Sequence, residues 1–262
     1  MSSPFAFTPG ALPEHLAQAV WRADAIGQAC SVTLPSGHAA LDAELPGGGW
    51  PCHAMTEVLQ NQVGQAEWRL LSPALARLVS QGGSVLLIGP PQLPHLPGLR
   101  REGVRDDRLI RIDAQTPAER LWATEQALKA RCVSAVLSWL PQVRPDQVRR
   151  LHVCAAQHPG PLFVFRPVRA QVDSSAAPLR VLLSLGPCPH PLRVEIIKRR
   201  GAVLGHPISL PHWPAGLMPL LPPPSPTTAS PPTHRPEPIQ TPHRAPHHAA
   251  LDGPAAWSPA LT

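Results

Sequence analysis

No CxxC pair and no Cys/His ligand spacing occurs in the 262-residue chain, although it holds five cysteines, Cys30, Cys52, Cys132, Cys154 and Cys188. An odd and scattered set supports neither a zinc site nor a disulfide framework, so buried free thiols in a reducing cytoplasm are expected. The opening residues, MSSPFAFTPGALPEHLAQ, lack a basic stretch leading into an apolar one and do not read as a secretory signal. Apolar runs such as 85–88 are too short to cross a bilayer. A soluble, cytoplasmic protein with no membrane partner is the expectation. No nucleophile elbow stands near His38, His53 or His95, so a hydrolase triad has no support.

What is present in excess is proline, 37 residues of it, crowded toward the end of the chain. From 218 to 262 no apolar period survives and the few charges nearly cancel. Such a segment cannot bury enough surface to offset the entropy of ordering its backbone, which predicts a disordered Pro-rich tail. Hydrophobic residues make up 43% of the whole chain, enough for one substantial core. The formal net charge of +6 permits contact with nucleic acid or an acidic partner without requiring either.

Ahead of the tail, strand and helix patterns alternate. An amphipathic helix is predicted over 12–28, with Leu16, Val20, Ala23 and Ile26 on its apolar face. Strands follow at 54–59, 84–88, 109–112, 134–140 and 162–166, with helices at 67–80, 116–131 and 146–157. The helix near 116 has the clearest start, with Thr116 as N-cap, Pro117 first and Glu119 closing a capping box. Prolines in the loop after 88 forbid a long helix there. This alternation predicts an α/β fold, a mostly parallel sheet flanked by helices. Strands at 179–185, 192–199 and 207–210 are separated by turn residues only and predict antiparallel additions at one edge. The chain therefore divides into an N-terminal helix (1–30), a core (31–217) and the tail (218–262).

The stretch TEVLQNQVGQAEWRLL, 56–71, has the strand–turn–helix order of a P-loop without its chemistry. A P-loop reads GxxxxGK[ST]; here Gln60 opens the turn, Gly64 fills one glycine place, and Gln65 and Ala66 stand where Lys and Ser/Thr belong. Gln65 brings no charge, Ala66 cannot ligate magnesium, and the acid Glu67 beside them would repel a triphosphate. Just upstream runs LPSGHAALDAELPGGGWPCHAMTEVL, 34–59. Its order of small-residue turn, LD, glycine run and core strand resembles the RecA recombinase family, where such a segment leads into the P-loop. Together with AERLWATEQALKA and the late KRRG at 198–201, the stretch 12–210 resembles more specifically ImuA, a family of RecA-like accessory proteins in bacterial mutagenic lesion bypass.

That resemblance implies a RecA-like fold and places the Walker B acid where Ser138 and Trp139 stand, so both catalytic halves are missing together. It implies no cofactor and no turnover, but an adaptor of SOS-induced translesion DNA synthesis. Its partners would be an ImuB-like Y-family protein, an error-prone DnaE-type polymerase and RecA itself, with nucleoid association when engaged. The alternatives are a divergent RecA-type ATPase and a SulA-like cell division inhibitor. Glu57 sits on the first core strand and Asp113 follows another, so the two could converge as a carboxylate pair at the C-terminal edge of the sheet, although solvated strand-end acids are the plainer reading. Arg144, Arg149 and Arg150 around one helix, and Lys198, Arg199 and Arg200 at the end of a late strand, are candidates for contact with DNA or a partner. An edge strand also carries such charges simply to block pairing. Trp21 and Arg22 on the first helix are residue types enriched at interfaces and mark a candidate partner or self-association handle.

Overall fold

The computed structural model describes residues 32–64, 66–186, 192–201 and 204–210. The predicted first helix with Trp21 and Arg22, and the predicted tail, lie outside the described residues, as does Gln65. The elements run β1 (Thr33–Leu34), α1 (Ala39–Asp42), β2 (Trp50–Pro51), β3 (Met55–Gln60), α2 (Glu67–Ser80), β4 (Val85–Ile88) and α3 (Leu96–Arg101). They continue with β5 (Leu109–Ile112), α4 (Pro117–Ala130), β6 (Ala135–Trp139), α5 (Pro145–Ala155), β7 (Leu162–Pro167), β8 (Leu179–Leu185), β9 (Leu192–Lys198) and β10 (Ile208–Leu210). No described helix is long and apolar enough to cross a membrane.

Eight strands form one mixed sheet in the order β10-β9-β8-β3-β7-β6-β4-β5. The inner strands β3, β4 and β6 are buried along their whole length. That is the mark of a parallel sheet covered on both faces. On one face α2 sets Leu70, Leu71, Leu75 and Val79 against Val58, Leu87, Leu137 and Phe163. On the other, α4 and α5 set Leu121, Leu128, Val148 and Leu151 against Met55, Leu86, Val136 and Val164. In β9, by contrast, Leu192, Val194 and Ile196 are buried while Arg193 and Glu195 face solvent. This period of two belongs to an antiparallel strand with one wet face.

One expected direction is corrected. β8 joins the same edge as β9 and β10, but it runs parallel to β3, with Thr56 opposite Leu179 and Leu59 opposite Leu182. In that sheet the antiparallel pairs are β8 with β9 and β9 with β10. The reason lies in the connection: β7 ends at Pro167, and the chain returns through a short 3-10 helix, Val168–Val172, before β8 starts. That return makes a crossover beyond β3 in place of a hairpin.

The crossover is clamped from inside. Glu57 of β3, wholly buried, accepts from Arg166 Nη1 at 3.1 Å and from Arg180 Nε at 2.6 Å. Arg166 also donates to Asp173 Oδ2 at 2.8 Å, and Arg180 to the carbonyl of Ala170 at 2.7 Å. Glu57 and Asp113 therefore do not converge: β7, β6 and β4 separate their strands, and Asp113 pairs with Arg111 at 2.6 Å in solvent.

The upstream SGHAALD segment folds onto α2. Gly37 has φ +83°, and a Cβ there would stand 2.3 Å from Pro73 Cβ, so only glycine fits. Ser36 N donates to Asp42 Oδ1 at 2.8 Å, and a His38 ring nitrogen lies 3.2 Å from the Leu70 carbonyl. His95 caps α3, its Nδ1 accepting from Gly98 N at 3.2 Å. The thiols are less buried than expected: Cys52 and Cys154 are half-buried and Cys132 is exposed, all three free. Cys30 and Cys188 lie outside the described residues.

Candidate functional site

The turn after β3, described at 61–64 and at 66, leaves the C-terminal edge of the sheet and precedes α2. Gly64 turns it with φ +90°, in the left-handed region. α2 then opens on Glu67, which is 1% exposed. A carboxylate so deeply placed needs donors, and the structure supplies four. Oε1 accepts from Gly64 N at 2.6 Å, from Gln60 Nε2 at 2.7 Å and from Trp139 Nε1 at 3.2 Å. Oε2 accepts from Ala66 N at 3.1 Å.

Each donor comes from a position that the RecA-like resemblance assigns to nucleotide chemistry. The backbone N–H groups of Gly64 and Ala66 are those that would face a phosphate at a helix N-terminus. Trp139 ends β6 and holds its ring stacked on Phe165, 4.6 Å between centroids and 22° between planes. Ser138, its neighbour, points to the opposite face, where its hydroxyl lies 2.6 Å from Thr124 Oγ1. Glu67 stands closer to the turn than its position beside it implied, with its carboxylate bonded to the N–H groups of Gly64 and Ala66. Its partners could not be read from sequence, since Trp139 lies 72 residues away. The only local signal was an acid at the first helical position.

The basic residues separate into two kinds. Arg144 flanks the start of α5 with Nε 3.3 Å from Asp146, and Arg150 Nε lies 2.5 Å from Glu125 of α4. Arg199 turns inward to the backbone carbonyl of Glu44 and, at 3.0 Å, its carboxylate. Lys198 donates to the Ser175 carbonyl at 2.8 Å, and Arg149 lines a hollow that includes the same Ser175. Arg200 lines another hollow, of about 380 Å³, with Cys52, His53 and His152 of α5. Burial first, and then the charges of Arg200 and Lys198, hold His152 below its ordinary pKa of 6.5. The fold therefore brings Arg149, Lys198 and Arg200 to one side of α5, two groups far apart in sequence. Among the described residues no cluster of His, Cys, Asp and Glu could hold a metal ion.

No family model matches the chain. It is similar to cell division inhibitors named SulA. One from Serratia marcescens is 28% identical over 115 residues, covering 44% of this chain and 68% of that protein. Another from Yersinia pseudotuberculosis is 27% identical over 138 residues, 53% of this chain and 79% of the relative. A third, from Pectobacterium atrosepticum, is 29% identical over 139 residues, 52% of this chain and 79% of the relative. These are partial likenesses that leave about half of this chain unmatched.

Proposed function

We propose that the chain is a non-catalytic, RecA-like accessory protein of the SOS response, acting as an adaptor in mutagenic translesion DNA synthesis. One observation carries the non-catalytic part: the donors of the P-loop-like turn are spent on Glu67, while Ala66 and Trp139 offer magnesium nothing. The likeness to SulA supports an SOS-related role at the coarser level. The sequence segments 34–59 and 198–201 support the ImuA-like reading at the finer one.

In this reading the protein bridges an ImuB-like Y-family protein and a DnaE-type polymerase, with RecA as a further contact, and no nucleotide is turned over. Arg149, Lys198 and Arg200, grouped beside α5, form the surface offered to DNA or to an acidic partner. Affinity capture of the full chain from damage-treated cells should bring down the two polymerase-type partners; capture of neither sinks the adaptor. Titration calorimetry with ATP and magnesium should give no saturable binding, whereas a micromolar dissociation constant would correspond to a binding free energy of about 8 kcal/mol. Such binding would revive the divergent ATPase.

A second reading, inhibition of cell division, is favoured by the SulA likeness itself. Overexpression in undamaged cells separates the two, because filamentation without damage belongs only to the inhibitor.

A further inference from the structure

We propose that the hollow at the C-terminal end of α5 binds a small organic phosphate, an ester with a dianionic head and an apolar body. The hollow holds about 380 Å³ and is built by four stretches distant in sequence. These are the approach to β3, the last turn of α5, the start of β8 and the KRRG run after β9. Its size is that of pockets that take small molecules. Val32, Pro51, Pro178 and Leu179 give it apolar walls. Its polar lining is Cys52, His53, His152 and Arg200, and none of the described residues around it is an acid.

The charges gathered here lack a counter-charge. Elsewhere the fold pairs its inward-turned guanidinium groups, Arg166 and Arg180 with Glu57 and Arg199 with Glu44. Arg200, among the described residues, forms no ion pair and donates no hydrogen bond. Lys198 spends its ammonium on the Ser175 carbonyl, a partner without charge. Both cations disfavour a proton on His152, and no carboxylate acts on that ring in return. The Cys52 thiol does not supply the missing charge, because burial pushes its pKa above the ordinary value and keeps it protonated at neutral pH. The carbonyl end of α5 also lies here, but two fixed charges outweigh its half charge.

Two further features point to a ligand. His152 Nδ1 is buried without a hydrogen-bond partner, although its ring is only half-buried. A buried polar atom left in this state marks a place where something else binds. A protonated Nδ1 would donate to a phosphate oxygen while the Arg200 fork takes the others. His53 enters β3 with φ +53°, in the left-handed region that few side chains adopt. Such backbone is held at functional sites, and here it sets an imidazole on the lining. A dianion suits the set better than a carboxylate, because two fixed cations act on the same imidazole.

The test is a titration of the full chain with phenyl phosphate at about pH 7.5, where the ester is a dianion. Ionic strength is held constant with chloride, and the ring resonances of His152 and His53 are followed, assigned with His152→Asn and His53→Asn. Both should shift saturably, His152 toward its imidazolium position as the bound dianion raises its pKa. Arg200→Gln, at an exposed position, should weaken binding about tenfold or more. Arg105→Gln removes an exposed arginine paired with Asp107 and should bind like the parent. Shifts that never saturate, or equal weakening in the two variants, would mean counter-ion screening and overturn the site. Inorganic phosphate should bind more weakly, since it leaves the apolar walls uncovered; equal affinity rejects the organic body. Benzoate binding as tightly as phenyl phosphate rejects the dianionic head. An unphosphorylated oligonucleotide that displaces phenyl phosphate would make the hollow part of a strand-binding surface and overturn the small ligand.

This site does not depend on the adaptor reading. Failed partner capture leaves the titration standing, and an unmoved His152 resonance leaves the adaptor standing. Binding of magnesium-ATP that Arg200→Gln abolishes supports the hollow, whereas ATP binding that survives that change revives the ATPase alone.

Discussion

Two helices of this chain begin with a glutamate turned back on backbone N–H groups, and their surroundings differ completely. In α4, Glu119 Oε2 accepts from Gln115 N at 2.9 Å and Thr116 N at 3.1 Å, while Thr116 Oγ1 accepts from Glu119 N at 3.2 Å. All of this sits in solvent, and water can replace either partner. In α2, Glu67 makes the same kind of contact but is buried, and two of its donors come from neighbouring strands. An exposed cap tunes the stability of one helix. A buried one joins a helix to the sheet, because its donors have no alternative when it goes.

The comparison is sharpest in the loss of each. Glu67→Ala should cost about 3 to 5 kcal/mol in denaturant unfolding, since it strands the buried donors of Gln60 and Trp139. Thr116→Ala should cost only about 1 kcal/mol, the usual effect of deleting a cap. Similar losses at the two places would show that burial makes no difference here.

The smallest effect should appear with pH. The backbone N–H groups of Thr116 and then Gln115 hold the Glu119 carboxyl below its ordinary value of 4.5. A depressed folded pKa means the unfolded chain binds the proton first as the pH falls, so stability rises with pH across that range. The contribution of Glu119 is complete above its ordinary value and disappears as the pH falls through the folded one. Glu119→Gln should therefore lower stability slightly at neutral pH, leave the strongly acid end almost unaltered, and so flatten the acid side of the profile read by denaturant unfolding at each pH.

The same contrast explains what could be read from sequence. The capping box of α4 was legible because Thr116, Pro117 and Glu119 act within four residues. Helix α2 was legible for a similar reason: its apolar side repeats at helical spacing, and its observed span is 67–80. The role of Glu67 was not, because an acid at a helix start reads locally as solvent-facing and its indole donor belongs to another strand. The direction of β8 was hidden too. A crossover normally announces itself by an α-helix, and here a short 3-10 helix does that work. β1, β2 and α1 are two to four residues long, shorter than any period that could reveal them. Arg199 looked like a surface charge in a KRRG run, yet Glu44, 155 residues earlier, draws it into the fold.

The clamp around Glu57 sets an order in time. Its partners Arg166 and Arg180 lie 109 and 123 residues further along the chain. On a ribosome adding about 5–20 residues per second, the first core strand is made on the order of ten seconds before its neutralising partners exist. Through that interval β3 cannot be sealed into the sheet without burying a carboxylate that has no counter-charge. The central strand is thus synthesised early and closed late, and a nascent chain that stops short of Arg180 has no finished core to fold around.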